Sequence, residues 1–342
     1  MRRIPKSIIP LAFALAVVLS SLPAFAQSLP AKKEAGEWVR KAQEASDLYS
    51  PDAPPYHLVA KIHYAIGDKS LEGTYEILWA APDKYRLELR TGDIDETDLV
   101  LGDKKYVARN TPTMTLPMFS VTSILFFSTP LPGIQSPDSV RKLFWAGDAA
   151  NRQICAVVGE SIAFDHELCF DAKTKQVTAA HTHPKPRTSW VWVADGAISM
   201  DFTDYVSLGN MRYPQRLVRR SGPESVDATV EKWEVVQKFS GDVFVPLLNS
   251  TVWDWCSTPK IEISKSDRPN APLHSMNVGV YKVVRADGTV KEATLLFGSP
   301  IGPAKELLDT QRHGRSAIHV CGIKPVEYET VFVMWATSRS VQ

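Results

Sequence analysis

The sequence is short of most features that would name a chemistry. It has four cysteines in 342 residues, and no pair of them has the close spacing of a zinc site. Lys and Arg number 39 against 38 Asp and Glu, a formal net charge of +1, and no stretch concentrates charge of one sign. That excludes the broad basic face a nucleic-acid binder needs. There is no Gly-x-Ser-x-Gly elbow, low-complexity tract or internal repeat, and nothing calls for a cofactor or a metal. Beyond the first residues, no apolar run reaches membrane-spanning length: Ile124-Leu125-Phe126-Phe127 is short and bounded by Pro117 and Pro130, as in a core or a lid.

What is present begins at the start of the chain. Arg2, Arg3 and Lys6 precede an apolar run from Ile8 to Leu22, followed by Ala24-Phe25-Ala26. This is the pattern of a secretory signal, with cleavage expected after Ala26 and a mature protein in the periplasm. The junction has no Cys to carry a lipid. The alternative is an uncleaved inner-membrane anchor over residues 8–26. Loss of Arg2, Arg3 and Lys6 moves the formal balance from +1 to −2.

An even cysteine count in an exported chain favours disulfides over free thiols. Four cysteines allow three pairings. Cys155 and Cys169 flank an expected hairpin, Ile154 to Val158 returning through Glu167 to Phe170, and facing each other across it they leave Cys256 for Cys321.

Gly36 to Tyr49 is expected as a helix, with Trp38, Val39, Ala42, Ala45 and Leu48 on one stripe. Period-two alternation then predicts strands. Leu58, Ala60, Ile62 and Tyr64 share one face; Tyr75, Ile77 and Trp79 share another; so do Tyr85, Leu87 and Leu89. Gly102-Asp103 turns a further hairpin. Phe119 to Ser128 and Val140 to Trp145 read as helices, and a meander of strands runs from Gln153 to Lys238. A curved antiparallel sheet closing on a few helices is the natural packing solution. Asn249 to Pro272 reads as an irregular linker, and a ββαβ unit follows: strands at Val278 to Arg285 and Val290 to Phe297, a helix at Pro303 to Gly314, and a strand at Tyr328 to Trp335.

Two stretches resemble known families. Gly73-Thr-Tyr-Glu-Ile-Leu-Trp79-Ala-Ala-Pro82-Asp-Lys-Tyr85-Arg86, then Asp98-Leu-Val-Leu-Gly102-Asp103-Lys-Lys-Tyr106, and later Asp204-Tyr205…Gly209…Tyr213-Pro214, resemble the periplasmic lipoprotein carriers and receptors of the LolA/LolB-like superfamily over residues 37–247. The resemblance implies a half-open antiparallel β-barrel with a helical lid over an apolar cavity faced by Ile62, Tyr64, Tyr75, Ile77, Trp79, Leu87 and Leu89. The carriers have arginine before the turn proline, where this chain has Ala81, which leaves a generic apolar-ligand barrel. Val280-Tyr-Lys-Val-Val-Arg-Ala-Asp287-Gly288-Thr-Val290, the helix from Ala304 and Gly322-Ile-Lys324-Pro325-Val326 resemble the C-terminal domain of TonB-type proteins over residues 272–337. That resemblance implies docking to an outer-membrane or other envelope protein. The Tyr-Pro and Pro/Lys-rich spacer of that family are absent, so energy coupling is not implied.

Other groupings have plain readings. His181-x-His183 is a solvated strand end, and His57 and His63 fall on the polar face of their strand. Ser161 beside Asp165 and His166 lacks the surroundings of a triad. Asp93, Asp95, Glu96 and Asp98 read as a solvated acidic loop without the glycine and closing Glu of an EF-hand. Trp190 and Trp192 share a strand face and are expected in the core.

The whole reads as an α+β chain: a signal peptide (1–26), a half-barrel with lid helices (27–248), a linker (249–272) and a ββαβ domain (273–342). The expected function is non-enzymatic binding of a lipid, lipoprotein or other apolar ligand. The rivals are a structural or interaction protein whose barrel is filled by its own side chains, and an envelope hydrolase.

Overall fold

The computed structural model describes residues 28–126, 140–148, 151–158, 164–184, 198–256, 260–262, 276–298 and 302–336. The expected signal segment and its alternative as an anchor lie outside these residues, as do Ser161, Trp190 and Trp192. Among the described residues no helix is long and apolar enough to cross a membrane.

In chain order the first half contains α1 (Lys32–Ser46), β1 (Tyr56–Ile66), β2 (Lys69–Ala81), β3 (Lys84–Thr91), β4 (Asp95–Leu101), β5 (Lys104–Arg109) and α2 (Leu116–Leu125). Then come β6 (Lys142–Ala146), β7 (Gln153–Val158), β8 (Phe164–Asp171), β9 (Val177–Pro184), β10 (Ile198–Leu208), β11 (Met211–Ser221) and β12 (Glu224–Val235). The last part has β13 (Thr251–Asp254), β14 (Lys260–Glu262), β15 (Met276–Val284), β16 (Val290–Phe297), α3 (Pro303–His313), β17 (Ile318–Cys321), β18 (Lys324–Val326) and β19 (Tyr328–Ala336).

Thirteen strands form one antiparallel sheet in the order β13-β5-β4-β3-β2-β1-β12-β11-β10-β9-β8-β7-β6. Its end strands do not pair with each other, so the sheet stays open in the manner of a half-barrel. The architecture is mostly antiparallel β with three helices among the described residues, an α+β chain. Because side chains alternate across a strand, the apolar sets of β1, β2 and β3 all point to one face, held in register by Tyr75 opposite Leu89, Ile77 opposite Leu87 and Trp79 opposite Tyr85. Gly67 and Gly102 turn two of the hairpins at φ of 60° and 59°, a left-handed conformation that glycine adopts without steric cost.

Two short helices cover the concave face. α1 packs its buried Ala35 and Val39 against β11 and its neighbours. α2 starts at Thr115, whose hydroxyl accepts from the Met118 N–H at 3.3 Å, with Pro117 in the first turn where its missing N–H costs nothing. Its apolar residues surround the helix, as in an element enclosed on every side, and eight of its ten residues are buried.

Three expectations are corrected. Val140 to Trp145, read as helical, contributes the edge strand β6, with Phe144 opposite Cys155; a short apolar run carries too little periodicity to separate the two states. The stretch from Asn249, read as irregular, supplies β13, which pairs with β5, and β14, which pairs with β17. The acidic run is not a solvated loop. Glu96 and Asp98 lie in β4 and are buried, 1 % and 6 % exposed, while Asp93 and Asp95 remain at the surface.

The C-terminal unit has its own small core, where Val278, Val280 and Ala293 meet Ala304, Leu307 and Leu308 of α3. The other side of its sheet, ordered β16-β15-β19, joins the main core through Tyr281, Val283 and Val331. Gly279 makes that contact possible: a Cβ there would lie 2.0 Å from the Phe297 ring, which crosses it on the way to the half-barrel. Disulfides join Cys155 to Cys169, directly opposite each other on β7 and β8, and Cys256 to Cys321. The second closes a separation of 65 residues and ties the end of β13 to β17.

Candidate functional site

The seven residues expected to face a cavity do share one surface. Ile62, Tyr64, Tyr75, Ile77, Trp79, Leu87 and Leu89 line the concave face and are 0–3 % exposed. The protein's own side chains occupy the space in front of them. Trp79 stacks on Tyr56 and Tyr85 with centroids 6.1 and 5.6 Å apart, and meets Phe126, just past α2, edge-on at 5.8 Å. Val121, Ile124 and Leu125 of α2 complete the same cluster.

Polar bonds from four different strands pin α2 to the sheet. The Tyr75 hydroxyl of β2 and the Thr122 hydroxyl are 2.8 Å apart. Tyr213 of β11 donates to the Leu125 carbonyl at 2.8 Å. Ser120 donates to the buried Glu224 carboxylate at the start of β12, which also binds Arg219 at 3.2 Å. Glu96 of β4 accepts from the Thr115 N–H at 3.0 Å, at the helix cap itself. A buried hydroxyl or carboxylate without a partner costs about 1–3 kcal/mol, so each pin fixes the helix position as well as adding stability.

From β3 to β5 the concave face changes character. Glu96 stands opposite Leu89 and Asp98 opposite Leu87, while Arg109 and Lys105 follow on β5. Strand β19 covers these charges. Glu329 accepts from Arg109 at 3.0 Å, from Lys105 at 3.3 Å and from the Tyr281 hydroxyl at 3.2 Å, and Lys105 also binds Asp98 at 2.8 Å. Burial works to raise the Glu329 pKa, but Lys105 and Arg109 outweigh it and hold the carboxyl below its ordinary range. Burial works to lower Lys105, and Asp98 with Glu329 overcomes that too, holding it raised. Glu96 ends differently. Burial pushes it up to about 7, and the bond from Thr115 and the charge of Arg109, 3.9 Å away, only partly oppose that. At the rim, Asp254 binds Lys104 and Lys324 at 2.5 and 2.8 Å, bridging β5 to the C-terminal unit.

Two clefts flank α2 where sheet, helix and C-terminal unit meet. One, of about 230 Å³, lies between Leu87, Met118, Phe119, Trp253 and Trp255 and borders the charged wall at Asp98, Lys105 and Glu329. The other, of about 310 Å³, lies between Tyr64, Leu71, Ile94, Leu116 and Phe297. Both are mainly apolar, and the larger reaches the lower end of ordinary ligand-site volumes.

The remaining candidates fall outside this site. Asp165 pairs with Arg141 at 2.7 Å on the surface. His57 and His63 bind Glu76 and Glu72 at 2.6 and 2.5 Å on the convex side. Reading the sequence missed the lid pins and the charged wall. A signal for the pins was present in Thr115, Ser120 and Thr122, three hydroxyls within one apolar segment, each of which needs a partner once buried.

No family model and no curated protein matches the chain by sequence. Solved structures similar to it include a LolA superfamily protein from Nitrosomonas europaea, with 10% identity over 62% of this chain and 97% of that one, at a TM-score of 0.37. A DUF1329 family protein from Desulfovibrio piger has 10% identity over 62% and 97%, at 0.36. The Pseudomonas aeruginosa MucA/MucB complex has 10% identity over 87% and 92%, at 0.28. Likenesses at these scores assign the chain no property.

Proposed function

We propose that the protein is a non-enzymatic periplasmic binding protein that takes a lipid, lipoprotein or other apolar ligand between the aromatic wall of β1–β3 and α2. The observation that carries this reading is the cover itself. A wall of Tyr75, Ile77, Trp79, Leu87 and Leu89 is closed by one ten-residue helix with an apolar cleft on either side. Dispersion contacts are non-directional, so an acyl chain can replace the contacts of α2 with the wall. Two disulfides suit an oxidising compartment, and cleavage after Ala26 belongs to the same proposal. The half-barrel (27–248) and linker (249–272) lead to a module (273–342) that docks an outer-membrane or other envelope protein.

One observation favours a second reading, a structural protein with a self-filled barrel. The wall is fully buried by the chain's own side chains. A paired measurement separates the two. Lipid extracted from natively purified protein is identified by mass spectrometry, and melting is compared for wild type, Trp79→Ala and Leu87→Ala. Lipid that is present in the wild type and lost from both variants supports the carrier. A wild type free of lipid, with Trp79→Ala costing the roughly 3–5 kcal/mol of a filled core, sinks it.

A further inference from the structure

A third cleft, away from α2, is also mainly apolar in its lining, but its charged residues are all cations. It measures about 270 Å³ and lies between the outer flank of α1, the turn joining β8 to β9, and the β10–β11 hairpin. Trp38, Lys41, Ala42, Ala45 and Ser46 line it from one helical face, spaced three and four residues apart. Lys175 and Gln176 come from the turn, Tyr205 from β10 and Arg212 from β11. Three of the lining residues are cations, and none is Asp or Glu.

Among the described residues none of these three cations forms an ion pair, although Glu37, bonded to Arg40, also feels the charge of Lys41. The nearby carboxylates are engaged elsewhere: Glu37 and Glu44 of α1 both bind Arg40, and Asp171 accepts from the Thr174 N–H, the Thr174 hydroxyl and the Lys173 N–H. The neutral groups that meet the cations leave the charge in place. Lys175 donates to the Ala172 carbonyl and its ammonium stands 4.5 Å from the Trp38 ring centroid. Arg212 lies 5.9 Å from the Tyr205 ring, and Gln176, with its carboxamide oxygen turned to the guanidinium, accepts from Nε at 2.8 Å, from Nη1 at 3.1 Å and from Nη2. The Ser46 and Tyr205 hydroxyls are used by the Ala42 and Val177 carbonyls.

The turn adds a second observation. Lys175 has a φ of 60°, the left-handed region where glycine sits freely and a lysine is disfavoured by its Cβ. A strained backbone that holds a cation over an aromatic ring at the mouth of an acid-free cleft fits a binding role.

We infer that this cleft binds a phosphate group, carried either by a lipid headgroup or by free phosphate. Three cations in one small cleft match a tetrahedral anion of about −1.5 to −2 charge better than a single carboxylate. The guanidinium fork of Arg212, where the neutral Gln176 oxygen now sits, gains a charge-assisted pair when phosphate oxygens take that place, with the ammonium groups of Lys41 and Lys175 as point charges beside it. The inference is independent of the apolar site, since no residue lining this cleft belongs to the wall of β1–β3 or to α2.

Calorimetric titration of the full exported chain with inorganic phosphate at low salt tests it, together with sedimentation on vesicles containing phosphatidic acid, a lipid phosphomonoester, and on phosphatidylcholine vesicles as the control without net charge. The decisive variant is Lys175→Gly, which removes the charge and relieves the backbone, so its melting temperature is expected to hold or rise. Lys41→Gln and Arg212→Gln accompany it, with Arg216→Gln, on the convex side and paired to Asp227, as the control. Phosphate binding that weakens tenfold or more in the three cleft variants and not in the control supports the inference with free phosphate as the source. Capture by phosphatidic acid vesicles alone, lost in the same variants, supports it with a headgroup as the source. Absence of binding to either probe, or binding equal in Lys175→Gly and wild type, overturns it.

Discussion

The concave face of the large sheet has two halves built on opposite principles. Under β1–β3 it is an aromatic and aliphatic wall covered by α2; under β4–β5 it carries Glu96, Asp98, Lys105 and Arg109, covered by β19. An apolar wall accepts any apolar cover of the right shape, because its contacts have no direction. A charged wall accepts one cover only, because each buried charge requires a partner at hydrogen-bond distance. The difference gives the two covers different tasks. The C-terminal unit is held in one registered position by buried ion pairs, whereas α2 is held mainly by packing, and a ligand that displaces it must replace four polar bonds as well.

The sharpest way to break this comparison is to remove Glu329. Glu329→Gln leaves Arg109 without its nearest carboxylate and Lys105 with Asp98 alone. Removing one partner of a buried pair typically costs about 3–5 kcal/mol. Urea unfolding is expected to show a loss of that order. Amide exchange should rise first in β15 and β19, while the β1–β3 wall stays protected. The double variant Glu329→Met with Arg109→Met should recover much of the loss, since it removes two charges together. A Glu329→Gln protein with unchanged stability would mean that the C-terminal unit is held by the Cys256–Cys321 bridge and apolar contacts alone.

Glu96 sharpens the comparison through pH. Burial raises its folded-state pKa to about 7 from its ordinary value of 4.5, so the folded protein binds this proton more tightly than the unfolded chain. The resulting stability is fully present below about pH 4.5 and is lost as pH rises through 7. At 1.36 kcal/mol per unit the full effect is on the order of 3 kcal/mol. Glu329 slopes the other way: its lowered pKa gives stability at neutral pH that disappears in acid. Melting curves from pH 4 to 8 should therefore fall toward the alkaline end in wild type, and Glu96→Gln should flatten that fall. An identical slope in the variant would remove Glu96 from the account.

How much of this was legible depends on how far apart in the chain the partners lie. The wall of β1–β3 was readable because alternation within a strand decides which face is apolar, and adjacent hairpins bring the strands together. The pairing of Cys155 with Cys169 was readable for the same reason, being local to one hairpin. The burial of Glu96 and Asp98 was not, because what makes it tolerable is Glu329, which reaches Arg109 across 220 residues. In the sequence the acidic run is indistinguishable from a solvated loop. The Ser120 and Thr122 hydroxyls could be seen, but not their partners, since Glu224 and Tyr75 come from two strands far apart in the chain. The short run at Leu143 to Trp145 failed for a different reason: as an edge strand it has a neighbour on one side only and shows too few residues for a period.

The smallest expected effect bears most directly on how α2 is held. Tyr75 is fully buried on the apolar wall, and its hydroxyl meets only Thr122 of the helix, at 2.8 Å. Tyr75→Phe keeps the ring and its packing and removes one half of the pin. The Thr122 hydroxyl keeps a weak contact to the Met118 sulfur at 3.8 Å, so it is not left wholly unpaired. A net loss of about 1 kcal/mol is expected, the ordinary contribution of one buried hydrogen bond. Thr122→Val should cost a similar amount, because the Tyr75 hydroxyl is then stranded in an apolar wall. The double variant, with both hydroxyls gone and the shapes kept, should lie closer to wild type than the two single losses added together. Amide exchange resolved along the chain locates the effect. If packing and a few pins hold α2, protection falls in residues 116–125 in both single variants and stays unchanged in β19. If protection falls equally in β19, the helix and the C-terminal unit open as one body, and the distinction between an exchangeable cover and a fixed one fails.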